Sequence, residues 1–91
     1  MKAGSTVEGG IYLRLDRFED FLGELALLSI EGQARQLHMR SLNLYRARKG
    51  YRVGDRSLAE ILTGTAAVAR RRRINAPTFE DLFEIRLPAG S

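Results

Sequence analysis

The sequence predicts a mainly α-helical domain, with one short N-terminal strand followed by three to four helices and completed by a dimer or higher oligomer. Three observations carry this expectation. Apolar residues alternate with a period of two only once near the start, in GIYLRLD, whereas helical apolar spacing recurs in FEDFLGELALLSI and again in SLAEILTGTAAVA. A chain of 91 residues also buries only about 60–65% of its unfolded surface, so its core is thin and self-association adds burial.

Residues 1–10 are Gly-rich and polar and are expected to form a flexible arm; residues 11–91 form one small domain. Within it, residues 11–49 read as strand-helix-helix and residues 50–91 as a C-terminal helical region. In the strand, Ile11, Leu13 and Leu15 alternate with Tyr12 and Arg14, the pattern of a half-buried strand. Asp16 followed by Glu19 opens the first helix, with acids in its first turn. Phe18, Phe21, Leu22, Leu25 and Leu28 make one stripe, Leu27 and Ile30 widen it, and Gly32 is the expected stop. So wide an apolar arc calls for cover on two sides.

A second helix is expected from Gln33 to Lys49, with Ala34, Leu37, Ser41, Leu44 and Tyr45 inward and Gly50 as its cap. The third opens on Ser57 and Glu60, the spacing of a capping box, before the stripe Leu58, Ile61, Leu62, Thr65, Val68 and Ala69. Small residues Gly64, Ala66 and Ala67 permit close approach of another backbone. Asn75 and Pro77 end this helix. Thr78 with Asp81 starts a short fourth helix, TFEDLFEI, and the tail IRLPAGS offers strand-like pairing.

Charge is unevenly placed. Residues 1–31 hold three basic and six acidic side chains, residues 32–76 eleven and two, and residues 77–91 one and three. A basic middle thus lies between acidic ends, suited either to a polyanion or to the acidic ends of another copy. Thirteen of the fifteen cations are arginine, whose planar fork suits phosphate. Arg70, Arg71, Arg72 and Arg73 are consecutive, and at about 100° per residue they cover the full helix circumference rather than one face. Such a run either complements the free carbonyls of a helix end or contacts phosphates, or an acidic protein partner.

The stretch IYLRLDRFEDFLGELALLSIEGQARQLHMRSL, residues 11–42, resembles the ribbon-helix-helix family of DNA-binding proteins. The resemblance covers at most residues 11–49 and rests on the alternating strand. It implies an intertwined dimer whose strands pair into a ribbon that enters the major groove. On this chain it implies that Ile11, Leu13 and Leu15 face the dimer core and that Tyr12 and Arg14 face bases. It further implies that Gln33 to Arg35, opening the second helix, hold a phosphate. The sequence departs from the family at the turn, which reads E-G-Q-A-R, and in the longer first helix.

Enzymatic chemistry is not expected. His38 is the single histidine, cysteine is absent, and Glu19–Asp20 and Glu80–Asp81 are sequence neighbours that do not face each other on a helix. No phosphate-loop or dinucleotide fingerprint occurs, and no cofactor or metal is expected. The longest apolar run, Leu25 to Leu28, is far below the roughly 20 residues of a membrane helix, so a cytoplasmic protein is expected.

The function expected from these features is a small basic DNA-binding protein, a regulator such as a phage or virus encodes, with DNA favoured over RNA. Its binding residues would be Tyr12, Arg14, Arg35, Arg40, Arg46, Arg48, Lys49, Arg70, Arg71, Arg72 and Arg73. The alternative is a structural or adaptor subunit of a homo-oligomeric assembly, such as a viral particle or a secretion apparatus.

Overall fold

A computed structural model describes residues 9–88 of the chain. The expected arm thus lies outside the described residues except for Gly9 and Gly10, and Gly10 already belongs to the first strand. Strand β1 (Gly10–Leu13) is followed by helix α1 (Leu15–Leu22), a 3₁₀ segment (Gly23–Leu27), α2 (Ile30–Leu37), α3 (Ser41–Arg48), α4 (Asp55–Arg72), α5 (Phe79–Leu82) and β2 (Phe83–Arg86). Among the described residues the chain is mainly helical, as its periodicity predicts, with one two-stranded antiparallel sheet.

That sheet joins the two ends of the domain. Gly10 faces Arg86, Ile11 faces Ile85, Tyr12 faces Glu84 and Leu13 faces Phe83. The strand partner is Phe83–Arg86, so the expected helix TFEDLFEI stops at Leu82 and only Ile85 and Arg86 of the tail pair; the ribbon is made within one chain. The outer edge of β1 also meets the α3–α4 connection, where Val53 N–H donates to the Ile11 carbonyl at 2.8 Å. The alternation is only partly kept. Leu13 is buried, but so is Tyr12, while Leu15 is exposed at the start of α1.

The first two expected helices each break in the middle. Gly23 has φ +59° and ends α1, a conformation that costs glycine nothing and other residues about 1 kcal/mol or more. The chain then tightens into the 3₁₀ segment, and Leu27 points outward, 87% exposed. Ser29 starts α2, its hydroxyl accepting from Gly32 N–H at 3.1 Å, so Gly32 lies inside a helix rather than stopping one. Gln33 ties the pieces together: buried, it donates through Nε2 to the carbonyls of Ala26 and Leu28. His38, at φ +56°, ends α2 in the left-handed region, and α3 follows as a separate helix.

The α4 stripe matches its spacing, with Ile61, Thr65, Val68 and Ala69 buried and Leu58 and Leu62 packed against the core. Its start differs. Gly54 is the N-cap, Ser57 and Glu60 lie inside the helix, and no side chain caps it. The end differs too: Arg73, φ +59°, takes the left-handed position expected of Asn75. The core is filled by Phe18, Leu22, Leu37, Leu44, Ile61, Val68, Leu82 and Phe83. Each such side chain contributes about 1.5–3 kcal/mol on leaving water. At Gly64, α2 and α4 come into backbone contact: an added Cβ would lie 2.5 Å from the Leu37 carbonyl oxygen. Gly64 thus serves packing within the chain.

Candidate nucleic-acid interface

The cationic residues divide into those used by the fold and those left facing solvent. Arg72 belongs to the first group. Its guanidinium donates to the carbonyls of Phe21 at 2.8 Å and Leu22 at 2.7 Å, at the C-terminal end of α1. It also lies 5.7 Å from the Phe21 ring centre. Arg48, its side chain 17% exposed, pairs with Glu19 at 2.7 Å and joins α3 to α1. Arg14 donates through Nε to the Phe83 carbonyl at 3.1 Å and approaches Glu84 at 3.7 Å.

Tyr12 is 6% exposed, and the Arg86 guanidinium covers its ring at 4.1 Å. A side chain placed so cannot reach a base edge. Gln33 to Arg35 lie within α2 rather than at its N-terminus, so their amides are engaged in the helix ladder instead of opening toward an anion. The first placement follows from a contact between the two ends of the domain, the second from the local Ser29 cap that starts α2 before Gln33.

The solvent-facing group is centred on α3. Leu42, Tyr45, Arg46 and Lys49 are exposed at i, i+3, i+4 and i+7, which puts them on one helical face. Tyr45, expected inward, is 44% exposed, and the Lys49 ammonium lies 5.6 Å from its ring centre. Exposed Tyr51 and Arg52 follow directly in the chain. The Arg52 stem crosses the backbone at Gly10, whose φ of +152° and lack of a Cβ leave it room. From Gly32 to Gly54 the sequence contains no Asp or Glu.

Arg35 on α2, Arg40 at the N-cap of α3 and Arg56 in the first turn of α4 are also exposed. At the far end of α4, Arg70, Arg71 and Arg73 face water, Arg71 reaching Gln36 Oε1 at 3.5 Å. Asn43 on α3 donates to Glu60 at 3.0 Å, ten residues before Arg70, so about 15 Å of helix rise separates that contact from the arginine run. Sequence reading missed Tyr45, Tyr51 and Arg52. The signal that could have found them is aromatic and cationic residues sharing one helical face within a segment free of acids.

Among the described residues, no group of three or more His, Cys, Asp or Glu side chains converges as a metal site would, and no helix is long and apolar enough to cross a membrane. Comparison of this chain with protein-family models, with curated proteins and with solved structures gave no match.

Proposed function

We propose that the protein binds DNA through the outward face of α3 and the segment after it, holding phosphates with Arg46, Lys49 and Arg52 and stacking bases on Tyr45 and Tyr51. One observation carries this reading: cations and tyrosines are interleaved on an exposed face that has no acidic residue in its own sequence segment. Arginine and lysine there release counterions from the backbone, and exposed rings give unpaired bases a platform. Arg40, Arg56, Arg70, Arg71 and Arg73 add long-range attraction. Readout by Tyr12 and Arg14 has no part in this version, because one is buried and the other is bonded to β2.

Fluorescence anisotropy with labelled single-stranded and duplex DNA tests the proposal. Substituting Arg46→Ala together with Lys49→Ala should weaken binding to both. Tyr45→Ala should weaken single-stranded binding by about 1–3 kcal/mol and duplex binding less. Equal binding by all variants would remove the support for this face.

A second reading, as a subunit of a larger homo-oligomeric assembly, is favoured by the exposure of Leu27, Leu42, Ile85 and Leu87, at 87%, 60%, 68% and 77%. Light scattering after nuclease treatment separates the two. Large regular particles that persist without nucleic acid would favour assembly.

A further inference from the structure

We infer that the outer edge of β2 is a homodimer interface, on which a second copy of this chain pairs antiparallel about a two-fold axis through Ile85. Arg14 N–H donates to the Leu82 carbonyl at 2.7 Å, and residues 14 and 82 continue the β1–β2 register. Bonded and non-bonded pairs alternate along an antiparallel ladder, so Tyr12–Glu84 and Gly10–Arg86 are bonded pairs, and Ile11–Ile85 is not. The Ile11 carbonyl follows the same alternation, since it turns away from β2 to accept from Val53. By the same geometry the N–H and C=O of Ile85 turn away from β1, toward the open side of β2.

Among the described residues β2 has β1 as its single sheet neighbour. The Ile85 side chain on this strand is 68% exposed, and Leu87, next on the same face, is 77% exposed. An open strand edge flanked by apolar side chains is a template for another strand.

Charge decides which strand. An antiparallel partner centred on Ile85 places Glu84 opposite Arg86 of the second copy and Arg86 opposite its Glu84. The segment Glu84-Ile85-Arg86 is therefore self-complementary, as a two-fold interface requires. The two charges already meet within one chain, Arg86 Nε to Glu84 Oε2 at 2.6 Å, on the Tyr12 face. In the dimer the four charges would alternate in sign across the seam. The pairing is short, because Phe83 N–H is already donated to the Phe79 carbonyl.

Analytical ultracentrifugation over a concentration series tests this on the full chain. The wild type should associate reversibly to a dimer. Arg86→Glu, which sets like charges opposite each other, should weaken it about ten-fold, and Glu84→Arg combined with Arg86→Glu should restore it. Ile85→Pro, which removes an outward N–H and no β1 bond, should leave a monomer with unchanged circular dichroism. Because variants of a small sheet can unfold, a second measurement uses the absence of cysteine in the chain. Ile85→Cys should be joined into dimers by a short bis-maleimide much faster than Ala59→Cys, an exposed position on α4. A wild type that stays monomeric, a dimer indifferent to these substitutions, or equal cross-linking at the two cysteines would overturn the inference.

Discussion

Arg72 donates to the Leu22 carbonyl at 2.7 Å across 50 residues of sequence, so one member of the arginine run closes the end of α1 from outside that helix. Helix ends leave carbonyls short of α-helical donors, and here a guanidinium from α4 reaches two at the end of α1. Removing it should matter more than removing its neighbours. Arg72→Ala is expected to destabilise the fold by about 1.5–3 kcal/mol, the range for hydrogen bonds to a charged group. Arg70→Ala, at an exposed position, should change stability by less than about 0.5 kcal/mol. Urea denaturation of both variants checks the contrast.

Arg73 carries a conformational cost that glycine would not. Its φ of +59° places a side chain in the left-handed region. Arg73→Gly should stabilise the protein by about 1 kcal/mol, visible as a higher melting temperature. A fall in melting temperature would mean that the Arg73 side chain makes interactions that outweigh its strain.

Gly64 admits no side chain. A Cβ there would lie 2.5 Å from the Leu37 carbonyl oxygen and 2.9 Å from Leu37 Cβ, and a backbone oxygen cannot swing aside. Gly64→Ala should cost about 1–3 kcal/mol by forcing α2 from α4, despite the better helix propensity of alanine. Chemical denaturation measures it, and a stabilised variant would show that the two helices can slide apart freely.

Thr78 and Asp81 form a reciprocal cap on α5, Thr78 N–H donating to Asp81 Oδ2 at 2.9 Å and Asp81 N–H donating to Thr78 Oγ1 at 3.2 Å. The bond from the Thr78 backbone, then that from its side chain, holds the Asp81 carboxyl below its ordinary value of 3.8. A lowered folded-state pKa gives stability that is full above the unfolded value and is lost as pH falls through the folded one. Asp81→Asn should therefore be less stable than wild type at neutral pH, with the difference shrinking below pH 3.8. Thermal melts across the acid range follow this directly.

The locally encoded parts of this fold were legible. The α4 stripe and the Thr78–Asp81 cap follow from residues close in sequence, whereas the second strand begins at Phe83, inside the stretch TFEDLFEI that reads as helix. The breaks at Gly23 and His38 were not legible, because LALLSI continues a helical stripe past Gly23 and a lone histidine within a helical stripe does not by itself mark a left-handed stop. One long second helix put Tyr45 inward; as two helices, the same residue faces water. The arginine run showed that it could not line one face, yet the target of Arg72 is a carbonyl 50 residues away. Tyr12 was lost to the interior for the same reason, since its cover, Arg86, comes from the other end of the chain.

The salt dependence of DNA binding tests the central proposal most directly. Binding constants for one labelled oligonucleotide should fall steeply and log-linearly with salt. Replacing Arg46, Lys49 and Arg52 by alanine should reduce the slope by about 2–3, close to one for each phosphate no longer neutralised. A binding constant indifferent to salt, or a triple variant with the wild-type slope, would contradict the assignment of DNA binding to the α3 face.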